Sequence, residues 1–218
     1  MARHYDKWNQ INDDPELKQK RHDQAGYITT LKKIFDHKTL LFLEEKILDH
    51  LVDEVILLEA RIPGAQAVTD FSFLMAPAYK ALEGFLFQLA KGLELPSGSN
   101  PENAGGYFAN AQTVDKHIDG ILKELDEESD KADISDSEQR EIKFRLSQMG
   151  SFLNNYRNSP AHFNGDPVKA GEKAAQLVTT IFEHIDSTTK VLLATGFLTC
   201  EEKTEAGKTI WTVQPKVL

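Results

Sequence analysis

Apolar residues recur at helical spacing along most of the chain. A first helix is expected from about Asp14-Pro15, where an acidic cap followed by proline favours initiation. A second is expected from about Lys38 to Ala60. Leu40, Leu43, Ile47, Leu51, Val55 and Leu58 form its stripe, and Leu41, Leu48, Val52 and Ile56 widen it. Arg61-Ile62-Pro63-Gly64 ends that helix. A third is expected over roughly Asp70 to Gly92, with Phe71, Leu74, Ala78, Leu82, Phe85, Leu86 and Leu89 on one face. Glu83 lies beside this stripe, and a partly buried carboxylate is costly unless paired.

Residues 93 to 111 are rich in Gly, Ser, Pro and Asn and are expected to form a loop. A shorter helix should run from about Val114 to Leu125, followed by an acidic linker over 126 to 136. Ser135 and Glu138 have capping-box spacing, so the next helix should start at Ser135 or Ser137 and reach about Tyr156. Ile142, Leu146, Met149, Phe152 and Leu153 form its apolar face. Asp166 and Pro167 suit the start of a long last helix reaching about Thr195. The tail changes period. Phe197 to Cys200 and Thr209 to Val213 read as strands around a turn at Glu205-Ala206-Gly207-Lys208. The expected fold is therefore all-α, a helical bundle with a small C-terminal β-hairpin. It divides into an N-terminal helical extension (1–34), a helical domain (35–195) and a hairpin tail (196–218).

Composition narrows the function classes. At 218 residues with 40% hydrophobic content, the chain is long enough for one core with a small appendage. No apolar run approaches the ~20 residues of a membrane span, and no secretory signal is visible at the start. A cytoplasmic protein without membrane contact is expected. Cys200 is the single cysteine, so no intrachain disulfide and no Cys-rich zinc site can form. Phosphate-binding glycine loops and the His-Glu-x-x-His zinc motif are missing, and neither cofactor nor metal is expected. His50, inside an apolar stripe, reads as a packed or surface histidine. The net charge of -9 argues against a surface that coats nucleic acid, though not against a local basic site. The basic run around Lys18, Lys20 and Arg21 reads as a solvated helix face, or as a patch that steers phosphate groups.

Candidate chemistry concentrates in Tyr156-Arg157-Asn158-Ser159-Pro160-Ala161-His162. Pro160 drives Ser159 away from the α region and interrupts the helical pattern, which restarts soon after Phe163-Asn164-Gly165. Such a break between two packed helices can expose an arginine and a histidine together. A guanidinium stays charged and grips a phosphate through two parallel hydrogen bonds. An imidazole with an unperturbed pKa of ~6.5 suits acid/base work near neutrality.

Arg157-Asn158-Ser159-Pro160-Ala161-His162 resembles the Arg-x4-6-His motif of HEPN superfamily ribonucleases, and Tyr79-Lys80-Ala81-Leu82-Glu83-Gly84-Phe85-Leu86 is similar to their earlier core helix. Within that superfamily the likeness is to the catalytic domain of RnlA/LsoA-type toxins, which pair the motif with an upstream glutamate; Glu83 stands at that position. The resemblance covers about residues 35 to 195. It implies a HEPN-type bundle and a metal-independent endoribonuclease, with Arg157, His162 and Glu83 catalytic and Asn158 and Ser159 positioning substrate. Glu83 is equally readable as a structural ion-pair partner of Arg157. The resemblance also implies a homodimer that brings two motifs together, RNA as substrate, and a cognate antitoxin or inhibitor protein. The alternative is a catalytically inactive helical scaffold that binds protein or nucleotide, a role the acidic balance suits.

Overall fold

A computed structural model of the chain describes residues 15–60, 68–97, 102, 104–108, 110–128, 134–147, 171–205 and 208–215. In chain order these form α1 (Pro15–Ile34), α2 (His37–Phe42), α3 (Glu45–Glu59), a 3-10 turn (Ser72–Met75), α4 (Ala76–Gly92) and α5 (Ala104–Phe108). Then come α6 (Ala111–Glu128), α7 (Asp136–Ser147), α8 (Gly171–Ala194), β1 (Leu198–Glu205) and β2 (Lys208–Pro215). The fold is all-α with a small antiparallel hairpin, in which Leu198 pairs with Pro215 and Glu205 with Lys208. Among the described residues, no helix is long and apolar enough to cross a membrane.

The helix expected over 38–60 is two helices. Leu43 and Glu44 are extended, with ψ of 136° and 154°. Breaking a helix leaves backbone groups without partners, and a distant side chain supplies them. The Gln88 amide donates to the Phe42 carbonyl (2.6 Å) and accepts from the Glu44 N–H (3.1 Å). The stripe survives the break, because Leu40, Leu43, Ile47, Leu51 and Val55 are all buried; its last member, Leu58, is exposed.

The helix expected over 70–92 also divides. Pro77 cannot donate to a carbonyl four residues back, and its ring crowds that carbonyl. Residues 72–75 therefore close as a 3-10 turn, and α4 starts with Pro77 in its first turn. The 93–111 segment is not loop throughout. Tyr107 and Phe108 are buried on α5, so packing overrides the poor helix propensity of Gly105-Gly106. α6 reaches Glu128, into the stretch expected to be linker.

The capping box at α7 forms as expected. The Glu138 carboxylate accepts from the Ser135 N–H (2.9 Å) and hydroxyl (2.6 Å), and these bonds hold its pKa below the usual value. Residues 148–156 and 167–170, where the flanking helices were expected to continue, lie outside the described residues.

One buried cluster joins all of these elements. It includes Leu31 of α1, Phe42 of α2, Leu51 of α3, Phe85 of α4, Ile118 of α6, Ile142 of α7, Ile185 of α8, and Leu198 and Val213 of the hairpin. Phe35 packs on Phe182 with ring centroids 5.3 Å apart, and Phe42 meets Phe85 edge-on at 6.3 Å. A buried carboxylate fastens α8 to α2. Asp186 accepts from the Asp36 N–H (2.8 Å) and the Thr39 hydroxyl (2.7 Å), and pairs with Lys190 (2.6 Å).

Candidate functional site

Arg157, Asn158, Ser159 and His162 lie outside the described residues, as do Tyr156 and Phe163. The helices on either side of them in sequence are described. α7 is anchored by Ile142 and Leu146, both fully buried. Its Arg145 donates to Ser187 of α8 (2.8 Å) and pairs with Glu141 (2.6 Å). Lys143 ties α7 to Asp119 of α6. At the start of α8, Ala174 is fully buried, and a Cβ built on Gly171 would rest 3.5 Å from the Phe71 ring, an ordinary contact.

His184 of α8 sits beside the Arg145 guanidinium. Burial, and secondarily that positive charge, push its pKa down to about 4. It is therefore neutral at physiological pH.

Glu83 is half-buried in the middle of α4, as its place beside the apolar stripe predicts. It lines an open cleft of about 280 Å³ with His50, Lys80, Gly84, Phe87, Glu102 and Ala104. α3 contributes His50, whose Nδ1 stands 3.9 Å from Asp53. The closeness of α3 to α4 depends on Gly84, since a Cβ there would lie 2.9 Å from Ile47 Cγ1. On the other wall α5 docks through Tyr107, edge-on to Phe87 at 5.9 Å, with Lys91 Nζ over both rings at 5.3 and 5.8 Å. Carboxylate, imidazole and ammonium groups thus share one cleft, a combination able to bind polar ligands and move protons. Among the described residues no group of three or more His, Cys, Asp or Glu is placed to hold a metal ion. Lys18, Lys20 and Arg21 lie on α1, and their side chains are outside the described set. Cys200 is half-buried on β1.

Sequence reasoning missed Glu54. This side chain is fully buried on α3, and its Oε2 accepts from the Ala78 N–H in the first turn of α4 (2.9 Å). Its Oε1 has no hydrogen-bond partner among the described residues. The signal was available, because Glu54 stands seven residues after Ile47 and four before Leu58, inside the apolar stripe. Comparison with known proteins returns no matching family model, no matching curated relative and no matching solved structure.

Proposed function

We propose that this chain is a metal-independent endoribonuclease, the toxin of a toxin-antitoxin or phage-defence system acting in the cytoplasm. The observation that carries the reading is the Arg157-Asn158-Ser159-Pro160-Ala161-His162 segment between the sequences of two helices, α7 and α8. RNA supplies the nucleophile, its 2′-hydroxyl. Oxygen attacks the adjacent phosphorus, the bond to the 5′-oxygen breaks, and the products are a 2′,3′-cyclic phosphate and a 5′-hydroxyl. His162 takes the proton from the 2′-hydroxyl or gives one to the leaving oxygen. Two copies of the motif, brought together in a homodimer, supply both roles. Arg157 stabilises the charge that develops on the phosphate, Asn158 and Ser159 position it, and Lys18, Lys20 and Arg21 steer RNA. Glu83 assists at the site as a proton carrier or by orienting its partners. A cognate antitoxin holds the enzyme in check.

The test is incubation of wild type and His162→Ala with cellular RNA in the presence of EDTA. Wild type should leave cyclic-phosphate ends and the variant should not. Equal cleavage by both removes the proposal. The net charge of -9 favours a second reading, a non-catalytic helical scaffold. That reading requires no cleavage at any protein concentration and partner binding that survives Arg157→Ala.

A further inference from the structure

We propose that Glu54 is a proton-operated latch on the first turn of α4: protonated, it holds α3 against that turn, and ionised, it loosens the contact. The inference concerns the fold and stands independently of the ribonuclease reading. Its geometry is a fully buried carboxyl group spanning two helices, with one oxygen on the Ala78 N–H and the other without a donor among the described residues. A buried carboxylate needs two or three donors or a counter-charge to remain ionised cheaply. Among the described residues Glu54 has one donor. The helix terminus it caps favours negative charge, yet burial outweighs this and the Ala78 hydrogen bond, and the pKa rises from 4.5 to about 7. The titratable groups described on the elements packed here are Tyr27, Lys32 and Lys33 on α1, Glu45, Lys46, Asp49, His50, Asp53 and Glu59 on α3 itself, and Tyr79, Lys80, Glu83 and Lys91 on α4.

The sign follows from linkage. A carboxyl whose pKa is higher in the closed state favours closure fully below the pKa of the open state. It loses that advantage as pH climbs through the interval from 4.5 to about 7. Above neutrality the first turn of α4 should open more often, letting water reach the carboxylate. Lys80 follows that turn directly in the helix and Glu83 lies on the next turn, so the cleft they line moves with the latch.

Hydrogen exchange of the Ala78 amide, corrected for intrinsic exchange, tests this on the full chain in wild type and Glu54→Gln between pH 4.5 and 8.5. The variant keeps an acceptor for Ala78 and cannot ionise. The ratio of wild-type to variant opening should grow with pH by up to roughly 300-fold. A ratio constant across the range overturns the latch. Carboxyl-carbon NMR of Glu54 in wild type needs no variant and decides the matter if Glu54→Gln does not fold. A midpoint near neutrality supports the latch, and an ordinary carboxylate midpoint overturns it.

Discussion

A buried carboxyl group and a half-buried imidazole respond to pH in opposite senses. Glu54 carries a raised pKa of about 7 and stabilises the fold most at low pH, with the loss falling between 4.5 and about 7. His184 carries a depressed pKa of about 4, so the folded state binds fewer protons than the unfolded one. It costs stability as pH falls from 6.5 towards about 4. Each effect amounts to about 3 kcal/mol. The windows overlap and the signs oppose, so the wild type should show a muted response that conceals both. Urea denaturation across pH 4.5 to 7.5 should separate them. Relative to wild type, Glu54→Gln should gain stability as pH rises, and His184→Gln should lose it. Parallel profiles for all three proteins would show that neither group is perturbed as its surroundings imply.

At the scale of elements, the joints are set by single contacts between segments distant in sequence. Replacing Gln88 by Leu removes both bonds at the α2–α3 break and leaves the carbonyl of the buried Phe42 without its Gln88 donor. The expected cost is about 2 kcal/mol in chemical denaturation. Gln88→Glu should cost more at neutral pH, since a carboxylate would face the Phe42 carbonyl. Gly84→Ala drives a methyl group against Ile47. Overpacking of about 1–3 kcal/mol should exceed the ~1 kcal/mol that alanine gains in a helix. In an Ile47→Ala background the clash is relieved, and the same substitution should become stabilising. Loss of stability in both backgrounds would mean that Gly84 serves something other than the approach of α3 to α4.

These joints explain where the sequence was legible. Local signals marked the start of α1 at Pro15, the capping box at Ser135 and Glu138, and the hairpin. Pro77 carried the division of the 70–92 helix in plain view. The α2–α3 break was hidden, because no glycine or proline marks it and both helices bury their apolar residues in one core. Its enabling partner, Gln88, is 44 residues away in sequence from Glu44. α5 was hidden for a related reason, since its helix is held by burial of Tyr107 and Phe108 rather than by propensity. At the candidate site, helical periodicity foresaw the half-buried setting of Glu83. The same periodicity contained Glu54, an acidic residue among hydrophobic neighbours.

At the scale of the whole molecule, the chain combines a net charge of -9 with a proposed RNA substrate. A protein of this balance repels RNA over most of its surface, so productive binding must come from a few local cations. Cleavage should therefore fall steeply with added salt. The most direct test of the ribonuclease account is the rate of cyclic-phosphate formation on a defined RNA by wild type, His162→Ala and Arg157→Ala. The account predicts that either substitution lowers the rate by at least ~100-fold while leaving thermal unfolding unchanged. Wild-type rates in either variant, or no cleavage by the wild type in any condition, would contradict it.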